Sequence, residues 1–242
     1  MNNNTEQILF EKVKKWAFLL NICPFVKAVF ICNSLSYAKV GNESDIDLFV
    51  ISKRKRVYLS RLFLTIFLKF FRLRTNKKNK FSRFCLSFFV DEDSFNFNKF
   101  KHKNDYYLAF WIKSLKPVLL NNFDINLFFN KNKWINDYFL DDFINFEKLP
   151  LYSKKSFIRN FLELFFISKI GDFFEFLNYK IQFYYLNKTY NKKNFLNSSI
   201  LINKNVIKLH KNDKRWLFNS NFEKQFGKNT KIDNSNFLSI LP

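Results

Sequence analysis

The stretch VKAVFICNSLSYAKVGNESDIDLFVIS, Val26 to Ser52, decides how this chain is read. Two apolar runs, Ala28 to Cys32 and Ile46 to Ile51, have the length and β-branched character of short buried strands. Between them stand an Asn33-Ser34 step, a polar-and-small segment, and a turn signal at Gly41, Asn42 and Glu43. The second run opens with Asp45-Ile46-Asp47. Side chains alternate across a strand, so the two carboxylates share a face, about 7 Å apart by strand rise, and Ile46 points the other way. Carboxylates so placed can share a divalent cation with a polyphosphate, since such ions take oxygen ligands and leave positions open to substrate phosphates.

At these residues the chain resembles the DNA polymerase beta-like nucleotidyltransferase superfamily, whose signature is a Gly-Ser at a strand end followed by an Asp-x-Asp strand. Ser34 stands eleven residues before Asp45, within the family's spacing, and SDIDLFVIS matches the second half of the signature closely. Asn33 occupies the position where the family usually has Gly. Asn is the non-glycine residue that best tolerates a left-handed backbone, so the turn is expected to survive. The resemblance implies an α+β fold: a small mixed-sheet nucleotidyltransferase-like domain with flanking helices over residues 1–122, then a mainly helical region over 123–242. It implies an enzyme that moves a nucleoside monophosphate from a nucleoside triphosphate to a hydroxyl acceptor. Its cofactor would be Mg²⁺ or Mn²⁺ on Asp45 and Asp47, with Asn33, Ser34 and Lys39 against the nucleotide.

In this family a neighbouring strand usually supplies a third carboxylate. Phe84 to Val90 (FCLSFFV) reads as that strand and runs into Asp91-Glu92-Asp93. Unbroken alternation puts Cys85, Ser87, Phe89 and Asp91 on one face. Ser87 is not an acid, so Asp91 at the strand's edge is the candidate third metal ligand. The rival reading is a catalytically degenerate nucleotidyltransferase fold that binds nucleotide or nucleic acid without turnover. Asn33 and the missing obvious third acid favour the rival; the intact Asp45-Ile46-Asp47 favours the enzyme.

The charge balance points the same way without specifying a partner. With 41 Lys and Arg against 20 Asp and Glu in 242 residues, the net charge of +21 sets up a field that attracts polyanions. Nucleic acid is therefore a candidate partner beside the triphosphate. The basic runs Lys53–Arg56 and Lys77–Lys80 are candidate polyanion contacts. In the tail, KLHKNDKRW makes Lys208, His210 and Arg215 candidate phosphate contacts; His102 has a weaker case. Three scattered cysteines without CxxC spacing fit a reducing, cytoplasmic setting. The opening residues lack a signal-peptide layout, and no uncharged run reaches membrane-spanning length.

The remaining pattern is largely helical. Thr5 to Leu20 reads as an amphipathic helix with Thr5 as N-cap. Residues 53–74 carry a broad apolar face, expected to pack on the sheet, with a lipid interface as the lesser alternative. Asp105 to Lys116 reads as a helix capped by Asp105 and ended by Pro117, before a short strand at Val118 to Leu120. Residues 123–147 hold helical patches. Ser153 to about Asn187 is the longest helical pattern, with Ser153 and Ser156 as start signals and Gly171 as a kink. With 36 Phe, the core is expected to be unusually aromatic.

Overall fold

Residues 2–37, 39–76, 78–139, 152, 156–190, 199–210 and 215–240 are described by the structure, a computed structural model. Ser153 and residues 140–147 of the predicted helical patches lie outside them, as do Lys77, Lys211, Asp213 and Lys214. The chain is mixed α and β, built on one six-stranded sheet of order β4-β1-β2-β3-β6-β5. The strands are β1 (Val26–Ile31), β2 (Ile46–Ser52), β3 (Phe84–Asp91), β4 (Lys116–Leu120), β5 (Ser199–Ile202) and β6 (Val206–His210). Only β2 and β3 are parallel; every other neighbouring pair is antiparallel.

The two outer strands β5 and β6 come from beyond residue 122, so the sheet begun by the first half is completed by the second. Around them the described C-terminal chain is helical: α4 (Ile125–Lys131), α5 (Phe157–Phe166), α6 (Lys169–Tyr190), α7 (Arg215–Phe226) and α8 (Asn234–Ile240). The sequence pattern did not show β5 and β6. They are short, and Lys208 and His210 alternate with apolar residues in a stretch that reads as a charged loop.

Both faces of the sheet are covered, which is why its central strands read as continuous apolar runs. On one face, Leu9, Val13 and Ala17 of α1 (Asn2–Ile22) and Leu64 and Leu68 of α2 (Val57–Phe70) meet Val29, Ile31, Leu48 and Val50. Thr5 lies inside α1, which starts at Asn2, and is not its cap. On the other face, Ala109, Trp111 and Ile112 of α3 (Tyr106–Lys113), with Phe128, Phe222 and Phe237, meet Phe30, Phe49, Ile51 and Phe88. This second layer is the aromatic one: Phe49 lies within 5.8 Å of the rings of Phe30, Phe88, Phe97 and Trp111. Asp105 caps α3 as expected, accepting from the Leu108 amide. The long helical pattern breaks at Ile167-Ser168 into α5 and α6. There Gly171 sits so close to the Phe166 carbonyl that an added Cβ would overlap it, at 1.6 Å. No helix among the described residues is long and apolar enough to cross a membrane.

Candidate metal and nucleotide site

The carboxylates end up together because of where two strands begin. Asp45 directly precedes β2 and Asp47 lies within it, on the same side as Phe49 and Ile51. The parallel register sets Asp47 opposite Cys85 of β3. One ligand atom each from Asp45, Asp47 and Cys85 lies within 4.8 Å of the others, with all three residues half-buried. The proximity carries an electrostatic cost. Burial, and then the charge of Asp47, push the Asp45 carboxyl up to about 6, although nearby Lys80 favours its ionised form. Burial and the same two carboxylates raise the Cys85 thiol, so in the protein alone that thiol is protonated.

Asn33 closes the site from β1. Its backbone is left-handed, with φ of 58°, as the Gly-replacing position requires. Its side chain does more than permit the turn. Nδ2 donates to Asp47 Oδ2 at 2.9 Å, and Oδ1 accepts from Trp111 Nε1 at 2.9 Å. One amide thus orients a carboxylate at the site and satisfies an indole N–H at the edge of the aromatic layer. Trp111 was missed in the sequence, since nothing local links it to Asn33. Ser34 follows in the same 3₁₀ turn, half-buried, and its carbonyl accepts from the Lys39 amide at 3.0 Å. The Lys39 side chain is exposed beside this turn.

Asp91 is not at this site. β3 carries a bulge: Asp47 faces Cys85 but Phe49 faces Phe88, so two residues of β2 span three of β3. Phe84 and Leu86 lie in the layer under α1 and α2, and after the bulge so does Phe89; Phe88 and Val90 belong to the aromatic layer. Alternation then carries Asp91 to the face opposite Asp47. It pairs with Ser52, five residues and about 17 Å along the strand from Asp47. Buried there, its carboxyl is raised above its ordinary value and accepts from the Asp93 amide at 3.3 Å. Cys85, not an acid, is the residue that joins the pair.

The basic candidates divide. Val206 packs in the aromatic layer while Ile207 and Leu209 pack in the other, so Lys208 and His210 point to the side of the sheet that carries Asp47 and Cys85. Lys208 pairs with Phe88 and lies over its ring at 5.9 Å; the His210 ring meets the same Phe edge-on at 6.3 Å. Arg215 is elsewhere. It is buried at the start of α7, 3.3 Å from Asp105 Oδ2 and from the Phe100 carbonyl, so its charge serves the fold rather than a phosphate. The run Lys53–Arg56 lies past the opposite end of β2 from the aspartates. There Arg54 pairs with Asp93, and buried Arg56 pairs with Asp172 at 2.7 Å. Lys80, from the other run, is the one that reaches Asp45 electrostatically.

In comparisons with known proteins, no family model, no curated protein and no solved structure matches this chain.

The donor chemistry itself can be compared with an ion. Two carboxylates are hard oxygen donors of the kind that fit a divalent cation such as Mg²⁺ or Mn²⁺. The Cys85 sulfur does not suit Mg²⁺ and would be engaged only by a softer ion.

Proposed function

We propose that the chain is a metal-dependent nucleotidyltransferase. It would move a nucleoside monophosphate from a nucleoside triphosphate to a hydroxyl acceptor. The observation that supports this most is the convergence of Asp45 and Asp47 on one face of β2, beside a left-handed Asn33-Ser34 turn. Burial, and then the charge of Asp47, raise the Asp45 carboxyl, and a bound cation would favour its ionised form. When bound, Mg²⁺ or Mn²⁺ would neutralise the triphosphate and the charge that develops on the leaving pyrophosphate.

The chain's own residues would then do the following. Asp45 and Asp47 hold the cation through their carboxylate oxygens. Asn33 fixes the rotamer of Asp47 through Nδ2. The backbone of the Asn33–Leu35 turn faces the phosphates, and Lys39 and Lys80 offset their charge. The acceptor hydroxyl gives its proton to water, its oxygen bonds to the α-phosphorus, the bond from that phosphorus to the bridging oxygen breaks, and pyrophosphate departs with the electron pair.

A second reading has specific support: a degenerate site that binds nucleotide or nucleic acid without transfer. Cys85 stands where a third oxygen donor would complete the set, and Asp91 faces away. Labelled-nucleotide transfer to RNA, protein and small-hydroxyl acceptors separates the two, using wild type, Asp47→Asn and Cys85→Asp. Transfer by wild type that Asp47→Asn abolishes supports the enzyme. Transfer appearing only in Cys85→Asp establishes the degenerate site.

A further inference from the structure

The last two described helices before β5 are held to the protein by polar side chains as well as by Phe166, Tyr179 and the buried Leu186. An amphipathic helix ordinarily turns its apolar stripe to the core. In α5 no residue is buried, and Phe157 and Leu164 are 85% and 77% exposed. Its polar residues make the attachment: Arg159 donates to Asn21 Oδ1 at 2.9 Å, and Glu163 accepts from the Phe25 amide at 2.8 Å. In α6 the buried positions are Gly171, Glu175 and Leu186. Glu175 accepts from the Tyr58 and Leu59 amides at 2.8 Å each, so it caps α2 from another helix. Gln182 accepts from Arg61 and donates to the Tyr58 carbonyl. Phe173, Phe176, Ile181, Tyr184 and Tyr185 of the same helix point outward.

The exposed apolar area of the two helices is on the order of 1,000 Å², beyond the largest patch of an ordinary monomer. The charges that accompany it are mostly positive. Lys169, Lys180 and Lys188 are exposed on α6. Lys180 lies 5.4 Å over the ring of Phe176, and Lys188 lies 5.8 Å over that of Tyr184. Of the acids of these helices, Glu163 bonds the Phe25 amide and Glu175 the start of α2, while Asp172 stays exposed and is paired with Arg56 at 2.7 Å. The outer face carries aromatic and aliphatic side chains with lysines among them, and its exposed Asp172 is already paired with Arg56, on a chain of net charge +21.

We propose that the outward face of α5 and α6 docks on the surface of an anionic phospholipid bilayer. The apolar side chains enter the headgroup and acyl boundary, and the lysines meet lipid phosphates, as in interfacial helices that lie in the membrane plane. A second copy of the chain would bring the lysines of both copies into one interface. A nucleic acid would leave Ile158, Leu164, Ile170 and Ile181 without bases to stack on, since stacking needs rings. The bilayer satisfies the apolar area and the charge together.

Vesicle flotation with the full chain tests this, using phosphatidylcholine alone and phosphatidylcholine mixed with phosphatidylglycerol, at low and high salt. Wild type floats with the anionic vesicles, more weakly at high salt. The pair Leu164→Glu/Phe173→Glu reduces binding by at least about tenfold, because two inserted side chains become charged. The pair Lys180→Gln/Lys188→Gln weakens binding to anionic vesicles alone. All four positions face solvent, so circular dichroism and the thermal midpoint stay at wild-type values. Three results overturn the proposal: no flotation of wild type, undiminished flotation of Leu164→Glu/Phe173→Glu, or loss in that variant of a stable dimer or of oligonucleotide binding instead of vesicle binding.

Discussion

Asn33 offers the sharpest test of how the site is assembled, because one side chain and one backbone angle contribute separately. The perturbation is a short series: Asn33→Gly, Asn33→Ala and Asn33→Asp. Glycine keeps the left-handed turn at φ of 58° but removes both amide bonds, to Asp47 and to the Trp111 indole. A hydrogen bond to a charged group contributes roughly 1.5–3 kcal/mol, and an orphaned buried donor costs roughly 1–3 kcal/mol. Asp47 is half-buried and regains some water, so the lower ends apply and Asn33→Gly should lose about 2–3 kcal/mol. Alanine loses the same bonds and adds a Cβ in the left-handed region, a further ~1 kcal/mol. Aspartate still accepts from Trp111 but places a carboxylate against Asp47 Oδ2, where Nδ2 now lies 2.9 Å away. It should therefore be the variant most stabilised by added Mn²⁺, since binding to the native state alone raises stability. Urea unfolding with chelator, repeated with Mn²⁺, reads all of this. Equal stabilities for the Gly and Ala variants would refute the backbone argument. A Gly variant as stable as wild type would refute the bridge.

Two further outcomes follow from buried charges away from the site. Burial pushes the Glu175 carboxyl up to about 7 from an ordinary 4.5, despite its two backbone amide donors. The folded state thus keeps a proton that the unfolded state releases, so this group's stabilisation is full below pH 4.5 and falls as pH rises towards 7. The stability difference between wild type and Glu175→Gln should therefore decline by up to about 3 kcal/mol across that window and flatten above it; a difference that rises with pH contradicts the assignment. Arg215→Met strands the Asp105 carboxylate, which is fully buried, and should cost roughly 3–5 kcal/mol in urea unfolding. The same variant should leave nucleotide affinity unchanged where it folds, and Arg215→Met/Asp105→Asn should recover part of the stability.

Much of the sheet was legible because its central strands are covered on both faces. β1, β2 and β3 read as mainly apolar runs, and the Asn33 turn was readable from the conformational tolerance of one residue type. Helical periodicity located α5 and α6, but a period reports that a stripe exists and not which way it turns. The direction is set by partners distant in sequence: Asn21, Phe25, Tyr58 and Arg61 hold the polar stripe, and no local pattern announces them. The same limit governs the site. That Asp45 and Asp47 come together follows from alternation at the start of β2, carried one residue before its first member. Which residue joins them depends on the register between two strands and on whether the second is regular. Here β2 and β3 pair in parallel, and three residues of β3 span two of β2 just beyond Cys85. The extra residue reverses the faces of everything after it, turning Asp91 to the far side and leaving a thiol beside the carboxylates. A bulge of this kind is a pairing property of two strands, so the acid that alternation assigns to a site by counting is secure only up to the first irregularity in the ladder.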